Sequence, residues 1–264
     1  MIDGKLRTFA RNAEHDQDFY LRMLRQHFRP RMRWLDAGCG HAMIQEWLHG
    51  ANEIEQQFLA EARSIVGADV DAQSLSSPSS IRRIASNLEV LAFENGTFDF
   101  ITCNMVVELL AAPMKVFQQY FRALRPGGLV IILTPNLYHW ANFVSRLTPF
   151  WFQSWILKKL FRREPEVVFP THYPRNTEEA MQKMLRTAGF SSVTVRMIPG
   201  RPRLVDFGPL LDPEYLFYRL SCRFPQRREV LGADAQKSPA EPGCTVSPKN
   251  TLRDEGLLPS AGSR

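Results

Sequence analysis

Two glycines, Gly38 and Gly40, follow directly after a short apolar run that ends in Asp36, and a helix-like run begins soon after them. Glycine adopts positive φ angles without strain, so the chain can pass through a tight turn here from a strand into a helix. The first N–H groups of a helix lack intrahelical partners and attract carboxylate or phosphate groups. The pattern predicts a loop that cradles such a ligand, although a plain structural turn has the same signature.

A second acid, Asp69, ends the next apolar run, 64–69. A carboxylate at the end of the second strand of a nucleotide-binding fold can accept hydrogen bonds from both ribose hydroxyls. We therefore predict that Asp69 binds a ribose, with Asp71 as its substitute. The alternative is that Asp69 only forms a turn.

Asn87 follows the third apolar run, 81–85, at a place where a polar side chain could bind the amino edge of an adenine. Asn is equally suited to capping a turn through its side-chain oxygen. The local sequence leaves both interpretations open.

The elements that must position these residues alternate along the chain. The sequence predicts helices at 14–28, 43–50, 54–63, 105–110, 113–124 and 177–188, and strands at 34–35, 64–69, 81–85, 98–104, 129–133, 192–198 and 229–235. A turn at 125–128 precedes the fifth strand. Strands that alternate with helices predict an α/β fold: a doubly wound, Rossmann-like, mostly parallel seven-stranded sheet with an antiparallel last strand.

The predicted domain organisation has three parts: an N-terminal helical segment at 1–33, one domain at 34–237, and a disordered tail at 238–264 that is rich in Pro, Ser and Gly. The helix at 14–28 either covers an edge of the sheet or lies across the ligand. Within the domain, 137–175 is an insert rich in aromatic residues.

Composition bounds the function only loosely. The 264-residue chain has a net charge of +6, but its basic residues are scattered apart from short clusters near 158–163 and 227–228, so a nucleic-acid partner is not expected. The four cysteines have no metal-binding or disulfide spacing, and we expect no metal. The charged first residues do not form a signal peptide, and no apolar run is long enough to span a membrane. We expect a cytoplasmic protein.

With these segments in place, residues 15–237 resemble the class I S-adenosylmethionine-dependent methyltransferases, in the group called methyltransferase type 11. The matching motifs are Leu35-Asp36-Ala37-Gly38-Cys39-Gly40, Gly67-Ala68-Asp69, Asn87-Leu88, Phe98-Asp99-Phe100-Ile101 and Leu124-Arg125-Pro126-Gly127-Gly128. The chain departs from the family at Ala42, where a glycine is usual, at Asn87, where an acid is usual, and at Leu109, where a histidine usually follows the glutamate.

The resemblance implies that the methyl donor S-adenosylmethionine is the cofactor. It places the methionine end of the donor at the loop of Asp36, Gly38, Cys39 and Gly40, the ribose at Asp69, and the adenine at Asn87 and Leu88. Cys103 and Asn104 would line the side of methyl transfer. An NAD-dependent oxidoreductase shares the glycine loop and the ribose acid, but it is not expected to carry the turn at 126–128.

The insert indicates the kind of acceptor. Phe150, Trp151, Phe152 and Trp155 precede the basic residues 158–163, a pattern that suits a lid over an acceptor pocket, a peripheral contact with a membrane interface, or both. We expect a small, hydrophobic or lipid-linked acceptor that is methylated at oxygen. His172, with Tyr173 beside it, is the candidate base for its hydroxyl, and the alternative is a loop histidine bonded to backbone. A catalytically silent methyltransferase-like binding domain is the competing function.

Overall fold

A computed structural model describes residues 16–40, 51–71, 81–136, 176–198, 216, 223–224, 228 and 230–239. Its centre is a seven-stranded sheet with the order β3-β2-β1-β4-β5-β7-β6. The first five strands pair in parallel, whereas β7 runs antiparallel to both of its neighbours, β5 and β6. The predicted fold class is therefore confirmed. The strand order reverses between β1 and β4, and ligands of such sheets bind beyond the carboxyl ends of the strands at this point.

The strands are β1 (Arg33–Ala37), β2 (Ser64–Asp69), β3 (Arg82–Ala85), β4 (Phe98–Asn104), β5 (Leu124–Pro135), β6 (Ser192–Ile198) and β7 (Val230–Gln236). The α-helices are α1 (Asp16–His27), α2 (Ala51–Glu61), α3 (Pro113–Ala123) and α4 (Glu178–Ala188), and a 3₁₀ turn spans Val107–Leu109. α4 begins at its predicted cap, because the Thr177 side chain accepts a hydrogen bond from the Ala180 N–H, and it ends at left-handed Gly189.

Two predicted elements differ from the structure. The predicted turn at 125–128 lies inside β5, because Leu124 already pairs with Phe98 and the ladder resumes, after a register shift, at Leu129 opposite Phe100. The intervening residues bulge out of a strand that continues. The predicted helix at 105–110 is only the 3₁₀ turn, because Met105 has a left-handed backbone (φ 55) that no α-helix accepts.

Helix α1 packs on a face of the sheet and does not merely cover an edge. Its buried apolar side chains share one cluster with side chains from β1, β4, β5, β6 and β7. At Gly232 of β7 an added Cβ would lie 2.6 Å from the ring of Phe19, so only glycine lets the helix approach this closely. Helices α3 and α4 supply the core of the opposite face.

The alternation of side chains along the strands assigns the polar groups to these two faces. Asp36, Thr102 and Asn104 alternate with core residues of the α3 and α4 face and therefore lie on the α1 face. Along β5, Ile131 and Leu133 belong to the α1 face, so Thr134, which follows Leu133, lies on the α3 and α4 face. No helix in the described ranges is long and apolar enough to cross a membrane.

Candidate active site

The glycine loop and the second acid meet at the carboxyl ends of β1 and β2. The N–H of Gly38 donates to the Ala68 carbonyl (2.7 Å), and the N–H of Gly40 donates to Oδ2 of Asp69 (2.9 Å). The other oxygen of Asp69, Oδ1, accepts from the N–H of Asp71 (2.9 Å). Both glycines have positive φ angles, 76° and 50°. Backbone groups thus fix the Asp69 carboxylate against the glycine loop, and we call this region the β1–β2 end.

Asp36 is buried beneath this loop, with 4% of its surface exposed. The indole N–H of Trp34 donates to Oγ1 of Thr102 (2.7 Å), and the Thr102 hydroxyl donates in turn to Oδ1 of Asp36 (2.8 Å). Burial raises the pKa of Asp36 to about 7, against the opposing effect of the Thr102 hydrogen bond. The Asp36 carboxyl therefore changes its charge near neutral pH.

Asn87 forms the turn that its sequence allowed. Its Oδ1 accepts from the N–H of Glu89 (2.9 Å), and its carbonyl accepts from the N–H of Val90 (3.0 Å). The Asn87 side chain is nevertheless exposed, whereas Leu88 is buried in the core cluster. The turn uses one lone pair of the Asn87 Oδ1 atom, so its second lone pair can accept a hydrogen bond from a ligand amino group.

Cys39 and Cys103 are packing residues of this region. Both are free and buried, and burial is the main cause that raises the pKa of each thiol to about 12. Neither thiol is a nucleophile at neutral pH. Gly67 makes room for Cys39, since a Cβ there would lie 2.7 Å from Sγ.

The segment after β4 packs directly on the glycine loop. At Gly38 a Cβ would lie 2.3 Å from Cγ2 of Val106, so the contact requires glycine. The left-handed residue Met105 turns the chain so that Val106 makes this contact. The N–H of Met105 donates to the Leu133 carbonyl (2.8 Å). A non-glycine residue in this conformation is uncommon and costs about 1–3 kcal/mol. The surrounding packing therefore holds the end of β4 in place.

A second buried carboxyl lies on the opposite face of the sheet, and we call its surroundings the β4–β5 end. Glu108 has 6% of its surface exposed, and its Oε2 accepts from the hydroxyl of Thr134 (2.9 Å). The side-chain amide of Asn176 donates to Oγ1 of Thr134 (2.8 Å). Burial raises the pKa of Glu108 to about 7, and the hydrogen bonds oppose this shift. The two faces of the sheet thus each hold a carboxyl that titrates near neutrality.

Comparison with known proteins identifies the family to which this geometry belongs. A family model described as a methyltransferase domain matches residues 7–195, which is more than two thirds of the chain. The chain belongs to this methyltransferase family. The resemblance to the class I S-adenosylmethionine-dependent methyltransferases is therefore confirmed. By family and fold the protein is a class I methyltransferase, and the methyl donor of that class is S-adenosylmethionine.

Individual relatives of this methyltransferase are more distant. A ubiquinone biosynthesis O-methyltransferase of Parvibaculum lavamentivorans is 32% identical over 105 residues, 40% of this chain and 41% of that protein. A carnosine N-methyltransferase of Rattus norvegicus is 28% identical over 105 residues, 40% of this chain and 26% of that protein. The matched stretch spans less than half of either relative. A structure of an S-adenosylmethionine-dependent methyltransferase from Mesorhizobium loti shares the fold, with a TM-score of 0.54, 16% identity and coverage of 86% of this chain and 100% of that chain.

The structure brings most of the sequence-predicted site residues of this methyltransferase to the edge of the sheet formed by the carboxyl ends of the parallel strands. Asp36, Gly38, Cys39, Gly40, Asp69 and Asn104 lie at the adjoining carboxyl ends of β1, β2 and β4, and Asn87 with Leu88 follows β3. The predicted bases His172 and Tyr173, and the whole insert at 137–175, lie outside the described residues. Among the residues that are described, no group of three or more His, Cys, Asp or Glu side chains could hold a metal ion.

Sequence reasoning missed the side chains that support these residues. Thr102, Thr134 and Asn176 carry buried hydrogen bonds between residues 26 to 66 positions apart. Gln17 of α1 bonds to Asn104, 87 positions away. In the sequence, the signal was the polar type of Thr102 and Thr134 directly beside apolar residues of their strands, which points to a buried hydrogen bond but not to its partner.

Proposed function

We propose that this protein transfers the methyl group of S-adenosylmethionine to an oxygen atom of a small hydrophobic acceptor. The observation that carries the proposal is the meeting of the glycine loop with Asp69, in which the Gly40 N–H reaches Oδ2 of the acid. A carboxylate already held by backbone N–H groups is pre-organised for a polar ligand.

The residues of the β1–β2 end fit the polar groups of the donor. Nothing lies within 4 Å of a Cβ placed on Gly40, so the described residues leave the loop open on that side, and Asp69 is only partly buried. A partly buried carboxylate suits two ribose hydroxyls. The N–H groups of Gly38 and Gly40 already donate to the Ala68 carbonyl and to Asp69, so other groups of the loop would bind the methionine end of the donor. Asp36 would complement the donor's ammonium group from below, and Asn87 the adenine amino edge.

The donor supplies a sulfonium-bound methyl group that needs no acid for departure of its leaving group. The protein's contribution is then chiefly to hold the two reactants in line, which accounts for about 7–11 kcal/mol of barrier in well-oriented systems. An acceptor hydroxyl also needs a base, for which His172, with Tyr173 beside it, is the sequence candidate. Glu108 is the described group at the β4–β5 end whose pKa, about 7, suits proton transfer.

The hydrophobic acceptor rests on the aromatic insert at 137–175 and on the named activity of the ubiquinone biosynthesis relative. Quinol-like and lipid-linked acceptors fit both, and the basic residues that follow the tryptophans favour peripheral contact with an anionic membrane. Co-sedimentation with anionic liposomes tests the membrane contact. Wild-type binding that is lost in the Trp151→Ala, Trp155→Ala double variant supports it, and absence of wild-type binding removes it.

Ligand-dependent thermal stability tests the donor assignment. A ligand that binds only the folded state adds about 2.7 kcal/mol of stability at a hundredfold excess over Kd. S-adenosylmethionine and S-adenosylhomocysteine should therefore raise the melting temperature, NAD should not, and Asp69→Ala should abolish the shift. A shift with NAD alone would overturn the proposal.

Transfer of a labelled methyl group separates the enzyme from a silent binding domain. The substitution of Asn87 for the usual acid and of Leu109 for the usual histidine favours the silent alternative. Incubation with labelled donor and a set of hydroxylated quinols should label an ether oxygen. Donor binding without transfer to any phenol, amine or acyl acceptor would favour the binding domain. The pH dependence of transfer would identify the base. The wild type should lose transfer at low pH, and the variant of the base, either His172→Ala or Glu108→Gln, should change the pH at which this loss occurs.

A further inference from the structure

Helix α1 reaches the end of β4 through a pair of side-chain amides. Nε2 of Gln17 donates to Oδ1 of Asn104 (3.2 Å), and Nδ2 of Asn104 donates back to Oε1 of Gln17 (2.8 Å). Each amide thus satisfies a donor and an acceptor of the other. Because the two bonds run in opposite senses, rotation of either amide by half a turn would set donor against donor and acceptor against acceptor. The pair therefore ties the orientation of the Asn104 amide to that of the Gln17 amide.

Packing places Gln17 at this position. The apolar side of α1 is anchored in the cluster on its face of the sheet, with Phe19 against Gly232 of β7 and Leu24 fully buried. Gln17 itself is 4% exposed, so its amide needs polar partners within the protein. Asn104 is only partly buried. The helix thus presents a buried amide to the partly buried side chain at the end of β4.

The backbone at Asn104 is fixed by a separate device. The next residue, Met105, is left-handed, and Val106 beyond it rests on Gly38 of the glycine loop. The main chain of Asn104 is held by the β4–β5 ladder opposite Leu133. With the backbone set in this way, the side-chain torsions of Asn104 are the remaining freedom, and the bonds to Gln17 remove it.

We propose that Gln17 is a positioning residue, which holds the Asn104 amide in one orientation beside the methyl-bearing part of the bound donor. The inference rests on the proposed function, since it assigns Asn104 to that part of the site. The pair uses one hydrogen and one lone pair of the Asn104 amide, and the remaining lone pair of Oδ1 serves the ligand. An amide oxygen held there favours the cationic sulfonium donor over its neutral thioether product.

The ratio of the affinities for S-adenosylmethionine and S-adenosylhomocysteine tests this arrangement, because the two ligands differ only at the methyl-bearing sulfur. Isothermal titration of the full chain would compare the wild type with Gln17→Ala, Asn104→Ala and the double variant. We expect each single variant to lower the ratio by about three- to tenfold, the worth of one hydrogen bond, and the double variant to lower it no further.

Two further variants exclude loss of structure as the cause. Gln17→Met keeps the unbranched shape and helix propensity but has no amide, and it should lower the ratio as Gln17→Ala does. Gln26→Ala makes the same chemical change at an exposed position of α1 and should leave the ratio unchanged.

The possible outcomes are distinct. Equal weakening of both ligands in Gln17→Met, or effects of Gln17 and Asn104 that add in the double variant, would overturn the positioning role while leaving the proposed function intact. Failure of the wild type to bind either ligand would contradict the proposed function, and this inference with it.

Discussion

The two ends of the candidate site are held together by different kinds of bond. At the β1–β2 end, backbone N–H groups of Gly38, Gly40 and Asp71 make the contacts that fix the loop and Asp69. At the β4–β5 end, the contacts run between side chains, from Asn176 through Thr134 to Glu108. The donors at the first end belong to the main chain, which every residue type except proline supplies, whereas the donors at the second end belong to side chains of particular residue types. The first end should therefore be sensitive to a Cβ at Gly38, and the second to loss of a hydroxyl or an amide.

Gly38→Ala should have the largest effect. A left-handed non-glycine residue costs about 1–3 kcal/mol, and the added Cβ, 2.3 Å from Val106, costs about 1–3 kcal/mol more. We expect S-adenosylhomocysteine binding to be lost in calorimetry, together with this loss of stability in urea denaturation.

Gly127→Ala is the matched control for Gly38→Ala. Gly127 has nearly the same φ angle, 79°, but nothing in the described part of the chain lies within 4 Å of its Cβ. The Gly127→Ala variant should lose only the stability that a left-handed non-glycine residue costs, and it should retain ligand binding. Equal losses in the two variants would show that the contact between the glycine loop and Val106 is unimportant.

This difference between the ends explains which parts of the structure the sequence could predict. Gly38, Gly40 and Asp69 were predicted because a turn closed to residues with a Cβ and a strand-end acid have local signatures. The left-handed Met105 was not, because no propensity of methionine suggests it, and a helix was predicted there instead. The partners of Thr134 and Asn104 depend on which strands and helices become neighbours. The seven strands themselves were predicted, since apolar runs between helices, and alternating valines in β6, are the local signatures of strands.

Glu108→Gln should make stability less dependent on pH. An acid whose pKa is higher in the folded chain holds its proton more tightly there. Its contribution to stability is therefore fully present below its ordinary pKa of 4.5 and is lost as the pH rises through about 7. Glutamine carries no charge and keeps an oxygen for the Thr134 hydroxyl. The difference in the free energy of unfolding between the variant and the wild type, measured by urea denaturation, should move in favour of the variant by on the order of 3 kcal/mol from pH 4 to pH 8.

An exposed carboxyl provides the comparison for Glu108→Gln. Glu94 meets water in the folded and the unfolded chain alike, so Glu94→Gln should shift stability equally at both pH values. If the Glu108 variant behaved in the same way, the carboxyl would not be desolvated in the folded protein.

Thr134→Val should destabilise the β4–β5 end by about 1–3 kcal/mol, because a valine removes the side-chain donor to the buried Glu108 and one of the acceptors of Asn176. Thr134→Ser retains the hydroxyl, so it should preserve most of this stability and lose only the buried methyl group. Thermal unfolding of the two variants measures the difference. A serine variant as unstable as the valine variant would assign the effect to packing.

Asn87→Asp should have the smallest effect, and it concerns the β1–β2 side alone. Aspartate can accept the Glu89 N–H in the same turn, so the stability of the chain should not change. Its charge strengthens the hydrogen bond to an adenine amino group, but at an exposed position the gain is only about 0.5–1 kcal/mol, or two- to fivefold in affinity for S-adenosylhomocysteine. Calorimetry at constant ionic strength measures this change. An unchanged affinity would leave Asn87 with the turn alone, and the adenine would then be bound without a polar side chain from this loop.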